Sequence, residues 1–526
     1  MVGKQIRILV AALAIAATPI DAKTLRWSAT GDASTQDPHA EAELFTNIAA
    51  DQVYEALLRY DEHLTLSPSL AVEWKATGPR TWVYTLRSGV KFHDGTPLTA
   101  DDVVFSFERA RRSGSAFKLY ANQAGTPRKL DERTIEFTTA QPNPVQPSAA
   151  VNVFIMSRAW CEKHHTTRPQ DFAHAEETYS ARHAMGTGPF RLVSYEAGVK
   201  SVYEKNPGWW GIAAGLYTGN VDRVEYRPIS SPATRMAALK SGEVDFVLDP
   251  PVQDVPRLMR DASLKVWSGE ENRVIFVGLD MARDELLYSD VKGRNPFKDR
   301  RVRLALYQAI DIQALKRSVM RGLAIPTGLP FPSLVDLPGV KDVRHPFDLA
   351  AARRLLAEAG YPKGFGFTLH CPNDRYVNDE KICIALAGMW AKAGLRVAVE
   401  TSPKALYFQK CERLDVSAFL VGWGGATTDP IFTLKPVLHG RTGEGAGDSN
   451  FGDFRIPELD AITDRAESEM DARKRHALIR EAVAILEREL PVLPLHRQVI
   501  PWVTRAGMRL THRANNTPLI YAIRMP

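Results

Sequence analysis

Beyond its first 22 residues, the 526-residue chain has no run approaching the roughly 20 apolar residues that cross a bilayer. Cysteine is scarce: Cys161, Cys371, Cys383 and Cys411 are the only four, too scattered for a Cys-rich zinc site. Neither sign of charge dominates, with 67 Lys and Arg against 61 Asp and Glu and a formal net charge of +6. The densest basic clusters, Arg300-Arg301-Val302-Arg303 and Arg473-Lys474-Arg475, fall on expected helices beside acids. They read as solvated helix faces, not as a nucleic-acid surface. There is no G-x-S-x-G, H-E-x-x-H or G-x-x-x-x-G-K-[ST] motif, and so no sequence mark of a nucleophile elbow, zinc protease or phosphate loop. Gly443-Glu-Gly-Ala-Gly447 follows no expected strand and lacks dinucleotide-binding spacing, which leaves a surface loop. No fixed-period repeat or low-complexity tract occurs, and nothing points to a catalytic residue, a metal or a cofactor.

What is present begins with a secretory leader. Lys4 and Arg7 precede a ten-residue apolar core from Ile8 to Ala17, and Ala22 offers a small residue for cleavage. No Cys lies near Ala22, so no lipid anchor is expected. The mature chain is expected to be a soluble periplasmic monomer of charge +5, large enough for two or three domains. The four cysteines suit an oxidising compartment and allow three fully paired connectivities, with Cys371 and Cys383 the nearest pair. Cys161-x-x-His164-His165, with His174 and His183, lies in a polar segment where exposed histidines outweigh a metal site.

Strand-like and helical runs alternate throughout, which predicts an α/β architecture. Trp82–Leu86 and Thr134–Thr138 read as strands, and another begins at Phe190. Helix Ala233–Ser241 ends at Gly242 and passes to an apolar strand, Val244–Leu248. Asp348 caps a helix over Leu349–Ala359, and Pro457–Glu489 reads as two helices broken near Met470-Asp471. The run Gly89–Arg109 carries the densest local information. Asp94-Gly95 marks a tight turn, and Thr99 with Asp102 forms a carboxylate variant of the capping box. Val103, Val104, Phe107 and Ala110 then recur at helical spacing.

This run resembles the signature of the family-5 solute-binding proteins of ABC importers, which include oligopeptide-, dipeptide- and nickel-binding receptors. The likeness extends through Gln36-Asp37-Pro38-His39, Gly186-Thr-Gly-Pro-Phe190, Glu204-Lys-Asn-Pro-Gly-Trp209 and Leu239-Lys-Ser-Gly-Glu-Val-Asp245. It continues in Asn295-Pro-Phe-Lys-Asp-Arg-Arg-Val-Arg303, Ala357-Glu-Ala-Gly-Tyr-Pro362, Gly422-Trp423 and Pro457-Glu-Leu-Asp460. The resemblance implies a two-lobed periplasmic binding protein fold (type II, cluster C-like) with an extra domain inserted in the first lobe. Lobe I is expected over 23–60, 186–273 and 494–526, the insert over 61–185, and lobe II over 274–493. Crossings near Val274–Leu279 and Val492–Ile500 would form the hinge, closing around a ligand and presenting it to importer membrane subunits.

The ligand site implied by resemblance is Trp423, Gly424, Gly425, Ala426, Thr427 and Asp429, where glycines admit a ligand close to backbone and Trp423 supplies an apolar wall. A buried Trp beside an ordinary turn is the competing reading. Peptide receptors of this family usually carry Asp three residues after the Trp, paired with the peptide's α-amino group; here that position is Ala426. Loss of that charge-assisted bond costs roughly 1.5–3 kcal/mol. Asp429, Glu41 and Glu43 are the candidate substitutes, although Asp429 can equally cap a turn and the glutamates can belong to a solvated loop. Arg375 lies near where dipeptide receptors hold the ligand carboxylate, with a surface arginine as the alternative. The expected cargo is a peptide or peptide-like solute. A glutathione-like molecule, an opine or a nickel chelate is the alternative within the receptor class, and a secreted hydrolase or peptide-holding chaperone lies outside it.

Overall fold

The computed structural model describes residues 22–332, 334, 335, 337–424, 427–443 and 445–526. All but the last residue of the expected leader therefore lies outside the described residues, as do Gly425 and Ala426 of the expected ligand segment. The fold is α/β, and no described helix is long and apolar enough to cross a membrane.

One large mixed sheet organises most of the chain. Its strands run in the order Arg396–Ser402, Gly366–Pro372, Ala418–Gly424, Leu264–Leu279, Val492–Arg505, Phe246–Val247, Thr24–Ala29, Arg223–Pro228, Lys200–Lys205 and Phe190–Glu196. Ala324–Pro326 pairs with Val492–Arg505 off that path. The two central strands, Leu264–Leu279 and Val492–Arg505, are the longest and run antiparallel along each other. Their ladder is interrupted between Glu270 and Val274, which leaves Glu271, Asn272 and Arg273 out of register with the partner strand. Past the interruption both faces of the strand are covered. Val274 and Phe276 enter one apolar cluster, and Ile275, Val277 and Leu279 enter another, as a two-residue period requires. Leu25, Trp27, Phe246 and Trp502 belong to a third cluster, at the other end of the sheet.

A separate four-stranded antiparallel sheet orders Ala71–Gly78, Thr81–Leu86, Thr134–Thr138 and Thr126–Asp131. The helix Ala100–Ala110 packs on it through the fully buried Val103, Phe107 and Ala110, with Phe107 edge-on to Phe137. Asp102 accepts hydrogen bonds from the Thr99 backbone N–H at 2.9 Å and the Thr99 hydroxyl at 2.8 Å, fixing the start of the helix. Gly95 sits at φ +91°, the conformation the Asp94-Gly95 turn requires.

Other expected elements shift at their ends. The helix before Gly242 starts at Pro232, capped by Ser231. The strand after it pairs only at Phe246 and Val247, because the Val244 N–H donates to Ala238 O and closes that helix instead. The long C-terminal helical region divides into Pro457–Ser468 and Ala472–Glu489, the second capped by Asp471. Cys371, on strand Gly366–Pro372, is disulfide-bonded to Cys383 on helix Asp379–Lys392, while Cys161 and Cys411 are free and buried.

Candidate functional site

A cavity of about 340 Å³ opens where five segments converge. Its walls include the helix Leu44–Val53 with the chain following it to Tyr60, the Val151–Phe154 region, the out-of-register Glu271–Arg273, the residues Gly424, Thr427 and Thr428, and the loop from Arg513 to Tyr521. The helix buries Thr46, Ile48, Ala49, Ala50, Gln52 and Val53, so Asn47 and Asp51, four residues apart, share the face turned to the cavity. Glu43 caps this helix by accepting from the Phe45 N–H at 2.8 Å.

The charged groups of the cavity differ in how they are satisfied. Glu271 accepts from Arg273 Nε at 3.1 Å and also from Gln498, whose amide oxygen accepts in turn from the Val377 N–H. Arg273 reaches Gly422 O, the same carbonyl that Tyr376 OH donates to at 3.1 Å. The out-of-register residues thus hold the strand that leads into Trp423 and Gly424. Glu55 accepts from the Thr187 hydroxyl at 2.8 Å and from the indole N–H groups of Trp209 at 3.1 Å and Trp210 at 2.9 Å. Burial nevertheless pushes its carboxyl up to about 7. Asp51 is solvent-accessible on the cavity wall, where the surrounding protein raises its carboxyl to about 6, partly offset by the positive charge of Arg513.

A second cavity, of about 390 Å³, lies between Tyr307, Arg344, His345 and the Glu487–Val492 region. It shares no residue with the first and does not touch the break between the long strands.

Residues 65–445 match the family described as "Bacterial extracellular solute-binding proteins, family 5 Middle". The chain belongs to this family. This family-5 protein is 26% identical over 480 residues to heme-binding protein A of Haemophilus influenzae, covering 86% of this chain and 83% of the relative. It is 26% identical over 498 residues to the glutathione-binding protein GsiB of Salmonella typhi, covering 92% and 91% of the two chains. Its fold is similar to that of the ABC transporter-associated periplasmic binding protein DppA from Helicobacter pylori in complex with peptide STSA. That likeness has a TM-score of 0.75 at 21% identity and covers 95% of this chain and 97% of that one.

Of the residues singled out in the sequence of this family-5 protein, Gly424 and Thr427 line the cavity. A Cβ on Gly424 would stand 2.5 Å from Asn272 O, so only glycine lets the two strands approach there. Trp423 is half-buried against the adjoining core and donates through Nε1 to Phe432 O at 3.0 Å. Asp429 is engaged elsewhere: both carboxylate oxygens accept from Arg475 at 2.7 Å, and one also caps Ile431 N. Its position matches the turn-capping alternative, and it does not line the cavity. Glu43 is likewise occupied as a helix cap. Glu41 and Arg375 do not line the cavity, and Arg375 lies exposed beside the Tyr376 ring. Between Cys161 and His183, the rings of His164 and His183 stack on the two faces of Tyr179, and no metal-binding cluster occurs among the described residues.

Sequence reasoning missed Asp51, Glu55, Arg59, Glu271 and Arg513. The only local signal was the four-residue spacing of Asn47 and Asp51. Nothing in the sequence around Arg513 distinguishes it from a surface arginine, although its side chain is buried.

Proposed function

We propose that the protein is a periplasmic receptor that binds a peptide or peptide-like solute in the 340 Å³ cavity and delivers it to the membrane subunits of an ABC importer. Residues 1–22 serve as a cleaved leader. Residues 23–60, 186–273 and 494–526 form one lobe, 274–493 the other, and 61–185 the inserted domain. One observation carries the reading: a single cavity is walled by Asp51 and Arg513 on one side of the ladder break and by Gly424 and Thr427 on the other. A ligand touching both walls stabilises the closed arrangement over an open one, and a few residues at the break absorb the change.

The lining supports a peptide-like cargo. Charged ends, amides such as Asn47, Asn152 and Asn515, and aromatic walls from Phe117, Phe154 and Tyr521 suit a short polar backbone with apolar side chains. Relatives and neighbours that bind glutathione and a short peptide point the same way. Among the described lining residues there is no His, Cys or Met, so haem iron would find only tyrosine oxygens as protein ligands there.

The receptor reading is tested by mass spectrometry of the small molecule retained through native purification, with scattering before and after its removal. The expected result is one unmodified ligand per chain and a smaller radius in the loaded form. Consumption of the ligand, or an unchanged radius, overturns the reading.

A further inference from the structure

We propose that Arg59 and Arg513 form a carboxylate-binding subsite in the cavity, with Asp51 setting how tightly it holds the anion. The proposal rests on the receptor reading above and specifies which chemical group of the ligand the cavity selects.

Charge balance leads to it. Six charged side chains line the cavity: Asp51, Glu55, Arg59, Glu271, Arg273 and Arg513. Glu271 and Arg273 neutralise each other, and Glu55 is saturated by one hydroxyl and two indole donors. Asp51, Arg59 and Arg513 form no ion pair among the described residues. With Asp51 ionised these three carry one net positive charge, which is balanced only while the Glu55 carboxyl, raised to about 7 by burial, is ionised as well.

The geometry of Arg513 makes that imbalance acute. Its side chain is only 4% exposed, yet every acceptor it reaches is neutral: Thr517 O and Oγ1, Tyr60 O and Asp61 O. Its Nε–H has no acceptor at all. A buried guanidinium with no carboxylate in ion-pair contact is costly, and burial lowers its pKa, with the charges of Asp51 and Asp61 offsetting only part of that shift. Arg59 repels it from nearby and donates only through Nε, to Pro68 O, so its terminal nitrogens are unpartnered. Both guanidinium groups line the same cavity as Tyr521, so two like charges share its wall. An anion there relieves the repulsion and satisfies the open donors. The two-pronged donor geometry of a guanidinium fits a carboxylate.

Asp51 opposes this anion while ionised. The groups around it are Asn47 on its own helix, Glu55 and Arg59 on the following chain, and Arg513 and Tyr521 on the C-terminal loop. Neutralising Asp51 raises the net charge of the subsite by one unit, so carboxylate affinity rises as pH falls. Glu55 titrates in a neighbouring range, which makes Asp51→Asn the variant that separates the two contributions.

The test is calorimetry on the mature protein, freed of copurified ligand. The probes are N-acetylated di- and tripeptides and glutathione, each as the free acid and as the C-terminal amide. The free acids should bind about tenfold to a hundredfold more tightly than their amides. Arg59→Gln should abolish that preference while leaving the melting curve intact, and Arg59→Lys should restore part of it. Lowering the pH from 7 to 5 should strengthen acid binding more in the wild type than in Asp51→Asn, where only the Glu55 contribution remains, and an equal gain in both removes Asp51 from the subsite. Equal affinity for acids and amides overturns the subsite and leaves the receptor reading standing. Binding of neither form overturns both.

Discussion

Arg109 and Asp37 form a fully buried ion pair, with Nη2 at 2.5 Å from Oδ2, Nη1 at 2.9 Å from Oδ1 and both side chains wholly inaccessible. The pair joins two segments that sequence reading had treated as separate labels: the end of the Gly89–Arg109 run and the Gln36–His39 motif. Burial pushes the Asp37 carboxyl up, but the charge and hydrogen bonds of Arg109 prevail and hold it at about 2. Ser180 and the Gln170 N–H complete the acceptor sites of Asp37. Burial and the adjacent Arg109 keep His39 neutral; its Nδ1 faces Arg109 while its Nε2 bonds Phe154 O.

Breaking this pair should be among the most damaging single changes in the chain. Arg109→Met leaves a buried carboxylate without its counter-charge and should lower stability by about 3–5 kcal/mol in urea unfolding. Replacing both partners by apolar residues should recover part of the loss. A single variant within 1 kcal/mol of wild type contradicts the assignment.

Asp37 also sets an acid limit. Its folded pKa lies below the usual unfolded value of about 3.9, so its stabilisation is present above about pH 4. It is lost as the pH falls from about 4 through 2. Melting temperatures measured across that window should fall more steeply in wild type than in Asp37→Asn.

Asp51 has the opposite sign. Its folded pKa of about 6 lies above the unfolded value, so it costs stability above pH 6 and nothing below about 4. Without ligand, Asp51→Asn should gain about 1 kcal/mol at pH 7, a figure reduced for solvent screening within the open cavity. The gain should vanish near pH 4 in the same melting series.

Trp423→Ala removes a wall beside Gly424 and a hydrogen bond to Phe432 O. It should cost about 2 kcal/mol of stability, since the ring is only half-buried, and abolish ligand-induced thermal stabilisation. Unchanged stabilisation would place binding away from this segment. Simple dipeptides with free amines should bind less well than N-modified or anionic ones, given Ala426, and calorimetry showing tight binding of plain dipeptides would refute this.

The Cys371–Cys383 bridge closes a loop of 12 residues that contains Arg375 and Tyr376. Its reduction, or Cys383→Ser, should lower stability by about 2–3 kcal/mol on the chain-entropy account. Melting with and without reductant checks this directly.

Local chemistry explains which features were readable in advance. The Thr99–Asp102 cap, the Asp94-Gly95 turn, the Asp348 and Asp471 caps and the stop at Gly242 each depend on residues within a few positions of one another. Asp429 carried two local readings, and the choice between them lay with Arg475, which is 46 residues away. Arg375 was suited to a carboxylate by residue type, and whether it faces the cavity was a matter of tertiary position: it is exposed and does not line it.

The sequence by itself determined the α/β alternation, the helix caps and turns, the ordered motifs of the family and the presence of Ala426 beside the Gly-Trp segment. These follow from short-range hydrogen bonding and from the spacing of apolar residues. Only the tertiary structure decided which charges meet. Asp51 and Arg513 are separated by most of the chain, and they face one cavity because the strand at Thr24–Ala29 and the strand at Val492–Arg505 both pair with Phe246–Val247 in the same sheet. Charge compensation acts through space, so it becomes visible only once the sheet has brought those segments together.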